Sequence, residues 1–425
     1  MPLSGLALLL AILTVAIEGY DLSIFALFSV AVAHSFFPTG DPTGSLLLAV
    51  GTLGVGYCAR PVGGILVGAF ADRAGRSAAM TLTVLLMAGS TGVIGLIPGY
   101  DRIGLAAPIL VLVARLVQGV SAGGATPSSL SYLVEAAPPG RRGYYSAYQQ
   151  TAQVAALLFA SGVGAATAWL LTPEALAAWG WRIPFLLALL TGPFGLLLRH
   201  SLPEPEGFAE SAPAATARLG ADVLRAWRHL IAGIGLCCLL SATTFVLLFY
   251  LPTYAQTRIG LSSGDAFLAS AASTALLAPV CLVAGALSDR IGRRPVMIAA
   301  AMALLVLTYP LIGFAHGHAT LAAVTLAQCA LSVLIGCYTG VCNVALAELF
   351  PARERATCIA ISFNFAIVVF GAFGPFAVTW LMRATGDPLA ISYYVCGAAV
   401  VSLVTMIAPG GRARPPLLPR QADTA

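Results

Sequence analysis

The sequence predicts an all-α membrane protein with twelve transmembrane helices in two pseudo-symmetric six-helix halves. Three observations lead there: the scarcity of charge, the length of the apolar runs, and two motifs that recur at nearly one offset. Hydrophobic residues make up 59% of the 425 and charged residues only 9%. A water-exposed surface needs about a quarter of the residues charged, so most of this surface faces lipid. The apolar runs are long and do not alternate, as in Leu46–Val55 and Ala299–Ala315. Membrane β-strands alternate apolar and polar residues, so helices are the spanning element. In lipid a helix satisfies its backbone groups within one segment.

Apolar runs of span length, about 20 residues or near it, occupy 4–33, 45–70, 78–97, 105–131, 144–171, 182–198, 230–253, 263–287, 296–315, 319–345, 356–382 and 389–408. A polar segment at 199–228, containing Pro203–Ala215, reads as the linker between an N-terminal half at 1–198 and a C-terminal half at 229–409; residues 410–425 form a short tail. All 22 basic residues are arginine. With abundant Ala and Gly, that points to a GC-rich bacterial genome. The even-numbered connections and the tail hold sixteen arginines, and the odd-numbered connections hold four: 102, 182, 258 and 383. Arginine-rich connections stay cytoplasmic, which predicts a multi-pass inner-membrane protein with both termini inside. Trp169, Trp179, Trp181 and Trp380 then fall near the outer interface, where indoles anchor. The nine cysteines lie in apolar runs without zinc-like spacing and read as buried, inert thiols.

The repeat is explicit. Gly68-Ala-Phe-Ala-Asp72-Arg73-Ala-Gly75-Arg76 follows span two, and Gly285-Ala-Leu-Ser-Asp289-Arg290-Ile-Gly292-Arg293 follows span eight, 217 residues later. Glu135-Ala-Ala-Pro138 with Arg142 follows span four, and Glu348-Leu-Phe-Pro351 with Arg355 follows span ten, 213 residues later. Two duplicated halves imply a solute site between them at mid-membrane, with one half rocking against the other. The glycines Gly68 and Gly285 permit close helix contact. Asp72 and Asp289 can pair with Arg73, Arg76, Arg290 or Arg293, or cap a helix N-terminus across the interface. Glu135 with Arg142, and Glu348 with Arg355, read as further gating pairs.

Charge within a span costs several kcal/mol, yet Glu18, Asp21, Arg60 and Arg115 lie inside spans of the N-terminal half. Glu18 and Asp21 are three apart and share a helix face. Asp21 lies about 25 Å along a helix starting near Ser4, at or beyond mid-membrane. All four can reach one central cavity. One reading is a compensated ion network that holds helices together. The other gives them separate tasks: Arg115 offers a planar fork for a carboxylate, and Asp21 or Glu18 exchanges a proton in each cycle. The repeat partner of Arg115 is Gln328, so this cation is confined to one half. Gln149 and Gln153 are four apart in span five, and Gln118 is one turn from Arg115. With Arg60, Tyr20, Tyr250, Tyr254 and Asn364 they complete the candidate binding surface, each also serviceable as an interhelical hydrogen bond. His316-Gly-His318 reads as a solvated loop, so no metal is called for. Without a phosphate-binding G-x-x-x-x-G-K-[ST] loop, no nucleotide or other cofactor is expected.

The G-x-x-x-D-R-x-G-R pattern after spans two and eight resembles the signature of the major facilitator superfamily. The segments Ala59–Arg76, Ala114–Gly124, Trp179–Phe185, Leu198–Phe208 and Ala347–Ala356 look like its metabolite:proton symporter branch. Val32–Pro38, Gly143–Ala156 and Leu251–Phe267 are similar to the citrate/tricarballylate permeases, whose span five carries the same two glutamines. Position 77 is Ser where the family has a basic residue, and members carry a polar leader before span one, which here starts almost at Met1. The resemblance implies the major facilitator fold and a monomer that couples protons to import of a small organic anion, a di- or tricarboxylate such as citrate. The alternative is a proton symporter for betaine- or proline-like zwitterions. Osmosensing members of that group carry a long C-terminal coiled coil, which a tail with three prolines does not form. A membrane-embedded enzyme or sensor is the remote third reading. No nucleic-acid partner is implied.

Overall fold

The computed structural model describes residues 5–74, 76–123, 130, 133–134, 137–138, 140–193, 227–350 and 355–408. Residues 199–226 of the expected linker and the 410–425 tail lie outside the described residues, as does Glu135. So do the side chains of Asp72, Arg73 and Arg76 and the surroundings of Gly68.

Among the described residues, twelve helical segments long enough to count as spans or parts of spans follow one another. They are α1 (Gly5–Leu27, continued after a 63° bend as Ser29–Phe36), α2 (Pro42–Cys58, continued by Arg60–Ala74), α3 (Arg76–Leu96) and α4 (Ala106–Ala122). Next come α5 (Arg142–Leu170), α6 (Pro173–Gly180 and Arg182–Pro193, bent by 42°), α7 (Trp227–Ile259) and α8 (Ser263–Ile291). The last four are α9 (Arg293–His318), α10 (Leu321–Leu349), α11 (Thr357–Thr385) and α12 (Ala390–Ile407). Eight are long and apolar enough to cross a membrane singly, the bent α1 and α6 add two, and the shorter apolar α3 and α4 complete the set. The sequence spans reappear with shifted ends. The largest shift is at α6, where residues 173–180 are helical rather than loop.

Local chemistry sets the helix ends. Pro42 opens α2 behind Asp41, whose carboxylate accepts from Thr43 N at 3.0 Å. Ser262 caps α8 by accepting from Asp265 N at 3.1 Å, and its hydroxyl donates to the Asp265 carboxylate at 2.8 Å. Gly292 ends α8 at φ +93°, a backbone state that side chains resist. That turn starts α9 immediately, so Arg293 reaches back to Asp289.

The halves meet where α5 packs along α8, α2 along α11, and α1 against the π-helical stretch Thr243–Tyr250 of α7. Gly143 and Gly285 set the α5–α8 approach: a Cβ on Gly143 would stand 2.5 Å from the Gly285 carbonyl. Large apolar side chains such as Leu105, Val283, Val306, Leu326 and Val404 lie outward and exposed, as a lipid-facing surface requires. Trp169, Trp179 and Trp380 are exposed, as interfacial anchors must be, but Trp181 is fully buried. Its ring packs edge-on against Phe36 and Phe185, because the α6 bend turns it inward. Of the cysteines, Cys58 is exposed and the other eight are buried or half-buried. His316 and His318 close α9 rather than occupying a loop.

Candidate functional site

The four charges expected inside spans come together between α1, α2 and α4. Arg60 and Glu18 form a buried ion pair, with side chains 4% and 7% exposed. The Arg60 guanidinium lies over the Tyr57 ring at 4.1 Å, a cation–π contact one turn back on the same helix. Asp21 accepts from Gln118 Nε2 at 2.9 Å, and Gln118 also donates to Thr91 of α3 at 2.8 Å. Arg115 is stacked on Phe25, with its guanidinium carbon 3.5 Å from the ring centroid. Among the described residues its Nε and Nη2 have no hydrogen-bond partner. A buried guanidinium with unused donors is costly in a folded protein, and it is chemically ready for a carboxylate.

Two adjoining cavities open on this cluster. One lies between the halves and is lined by Glu18, Arg60, Tyr57 and Gln153 on one side. Its opposite side is Ser241, Thr244, Phe245 and Phe249 of α7 with Phe363 and Ile367 of α11. The other lies inside the N-terminal half and adds Asp21, Arg115 and Gln118. Glu18, Leu22, Tyr57 and Arg60 are shared by both. Arg60 therefore faces the space between the halves, whereas Arg115 sits one layer deeper.

Sequence spacing also pointed to residues that the fold directs elsewhere. The Tyr20 hydroxyl donates to the Pro184 carbonyl at 3.1 Å, toward α6. Tyr250 is hydrogen-bonded to Thr379 at 2.6 Å, and Tyr254 lies 3.4 Å from His316 Nδ1. Neither tyrosine lines either central cavity. The reason is local. Thr243–Tyr250 is a π-helical stretch, which changes the helical register and re-aims the side chains beyond it. Gln149 is buried one turn below Gln153, and Asn364 is buried beside Phe363, both just off the cavity wall. Spacing did not single out Tyr57, Ser241, Thr244 or the three phenylalanines. The hydroxyl run Ser241-Ala-Thr243-Thr244 in mid-span was the available signal.

At the signature-motif end, Asp289 accepts from Gly143 N at 2.9 Å and Tyr144 N at 3.0 Å, so the α8 carboxylate caps α5 across the interface. Arg293 links Asp289, at 2.6 Å, to Glu348, at 3.0 Å. Arg142 and Arg290 are exposed, and Arg355 is half-buried just ahead of α11. On the other side of the cavity, Ser29 and Thr253 are hydrogen-bonded at 2.8 Å, as are Ser161 and Ser270 at 3.2 Å. Phe373 of α11 covers Gly54 of α2. The described halves thus touch on both sides of the cavity, an occluded arrangement.

The sequence profile of the Major Facilitator Superfamily matches residues 11–375 and 268–424. The citrate-proton symporter of Klebsiella pneumoniae is 35% identical over 392 residues, 91% of this chain and 88% of that protein. The proline/betaine transporter of Escherichia coli K12 is 31% identical over 414 residues, 95% of this chain and 82% of that one. Among solved structures, a crystal structure of D-xylose-proton symporter superposes with a TM-score of 0.76 at 20% identity, covering 96% of this chain and 98% of that one. A partially occluded inward-open form of the Escherichia coli xylose transporter superposes at 0.75, also at 20% identity, covering 93% and 95%. With its profile match, its relatives and its twelve-helix fold in agreement, the chain belongs to the major facilitator superfamily of membrane transporters.

Proposed function

We propose that this transporter is a proton symporter that imports a small organic anion, a di- or tricarboxylate such as citrate, by alternating access. The observation that carries the reading is the buried Arg60–Glu18 pair facing the cavity between the halves, backed by the underused Arg115. In the empty site two acids balance two arginines. Protonating Glu18 releases Arg60 for a substrate carboxylate, and protonating Asp21 does the same for the field at Arg115. A dianion that enters with both protons leaves the loaded site neutral, and a tricarboxylate does so as its singly protonated form, in a medium that penalises net charge. Gln153 supplies an amide donor beside Arg60, and Gln118 holds Asp21 in place beside Arg115. Asp289, Arg293 and Glu348 hold α8 against α5 and act on switching rather than on the solute. The site works in a monomer of the inner membrane, with both termini and the 199–228 linker cytoplasmic.

The zwitterion reading is favoured by one feature. Tyr57, Phe245, Phe249 and Phe363 ring a cavity that holds one acid and one arginine, which suits an ammonium beside a carboxylate. A thermal-shift series on purified protein separates the two, because a ligand that binds only the folded protein stabilises it by an amount that grows with the logarithm of its concentration over Kd. Citrate should raise the melting temperature in a dose-dependent way and glycine betaine should not. The reverse pattern would replace the first reading with the second.

A further inference from the structure

The two walls of the central cavity differ in kind. The α1–α2 side carries Glu18 and Arg60, while the described residues that line the α7–α11 side are all uncharged. That second wall nevertheless holds two buried hydroxyls, Ser241 Oγ and Thr244 Oγ1, that have no hydrogen-bond partner among the described residues. Hydroxyls in apolar helices ordinarily donate back to a carbonyl one turn earlier. Thr243, between them, does so, donating to Leu239 O at 2.7 Å and Leu240 O at 3.1 Å. Ser241 and Thr244, three apart, share the face that meets the cavity. Buried polar atoms are nearly always satisfied, and exceptions call for a partner that is missing.

We propose that Ser241 and Thr244 form a hydroxyl-recognising subsite, so that the transporter selects hydroxycarboxylates over their deoxy analogues. The inference rests on the reading of this cavity as the site of an organic anion. A carboxylate turned toward α7 would meet no cation there. An alcohol would both donate to and accept from the two side chains, while its carboxylates stay toward Arg60 and its carbon skeleton lies against Phe245 and Phe363. Substrate is then held to one half by charge and to the other by neutral hydrogen bonds, and closure of the halves completes both sets. A site built to hydrogen-bond an alcohol discriminates strongly against a ligand lacking it, because the site's own groups are left unpaired.

The test is equilibrium binding of two matched pairs, citrate with tricarballylate and malate with succinate, to the wild type, Ser241→Ala and Thr244→Val. In wild type the hydroxylated member of a pair should bind roughly tenfold or more tightly. In each variant that preference should shrink through weaker binding of the hydroxylated member, with the deoxy member unchanged. A merely structural role would weaken both members alike. Equal wild-type affinities within both pairs, or a parallel loss of both members in the variants, would overturn the proposal and leave the anion reading standing. If wild type binds none of the four acids, the anion reading falls and the subsite with it. The wild-type ratio needs no variant, and the two variants are read separately, so misfolding of either leaves the test decisive.

Discussion

Glu18→Gln is the sharpest perturbation of the proposed coupling. It mimics the protonated acid and frees Arg60 permanently. The pair is almost wholly withdrawn from solvent, with side chains 4% and 7% exposed, so solvent screening takes little from it. Removing one partner of such a pair costs about 3–5 kcal/mol of stability, because the remaining charge is left uncompensated. A bound carboxylate restores the compensation, so citrate should stabilise the variant more than it stabilises wild type. The pH dependence should change as well. If Glu18 carries the proton that enters with each anion, affinity falls tenfold per pH unit across the range of that linked uptake, about 1.4 kcal/mol per unit. The variant has no such proton to take up. Its plot of log Kd against pH should be shallower by one unit of slope over that range. Calorimetric titration of citrate at half-unit pH steps measures this, and the ligand's own ionisation is common to both proteins and cancels in the comparison. Identical slopes in variant and wild type would refute the role of Glu18.

Arg115→Lys keeps the charge but loses the planar fork and the stacking on Phe25; citrate affinity should fall at least tenfold, about 1.4 kcal/mol, and an unchanged Kd would remove Arg115 from the site. Asp289→Asn weakens the carboxylate cap on Gly143 N and Tyr144 N and the link to Arg293. That is worth roughly 2 kcal/mol, enough to move the balance between gate states about thirtyfold. Transport turnover should drop while equilibrium binding changes little. Collapse of binding in a folded Asp289→Asn protein would contradict the gating role.

How far the sequence could be read depends on the range of each interaction. Asp289 was legible because its partners are fixed by a short motif: Gly292 supplies the turn that returns Arg293, and the aspartate has the reach to cap α5. The membrane charges were legible as a set, since each stands out against an apolar run. Their pairing was not, because Glu18 and Arg60 are brought together by helix packing across 42 positions. Spacing alone favoured Arg115 as the principal anion ligand, whereas the fold gives Arg60 the position facing both halves. Tyr250 and Tyr254 lie off the cavity wall because helical periodicity assumes an unbroken α-helix, and α7 carries π-helical turns at Thr243–Tyr250 and Ala255–Ile259. Trp181 misled for a similar reason, since the bend in α6 cannot be seen in an apolar run. Ser241 and Thr244 were passed over because most hydroxyls in apolar helices do what Thr243 does. Only the packed structure separates the hydroxyls that are satisfied from those that are not.

The proposed mechanism stands on the buried acids of α1 carrying the proton that drives uptake. Proteoliposomes supplied with a pH gradient and no other driving force put that step to the test. Wild type should accumulate labelled citrate against its gradient. Asp21→Asn should lose that accumulation yet still exchange internal for external citrate, since exchange needs binding and rocking but no net proton movement. Accumulation at the wild-type level by both Asp21→Asn and Glu18→Gln would show that neither acid couples the proton, and would contradict the mechanism.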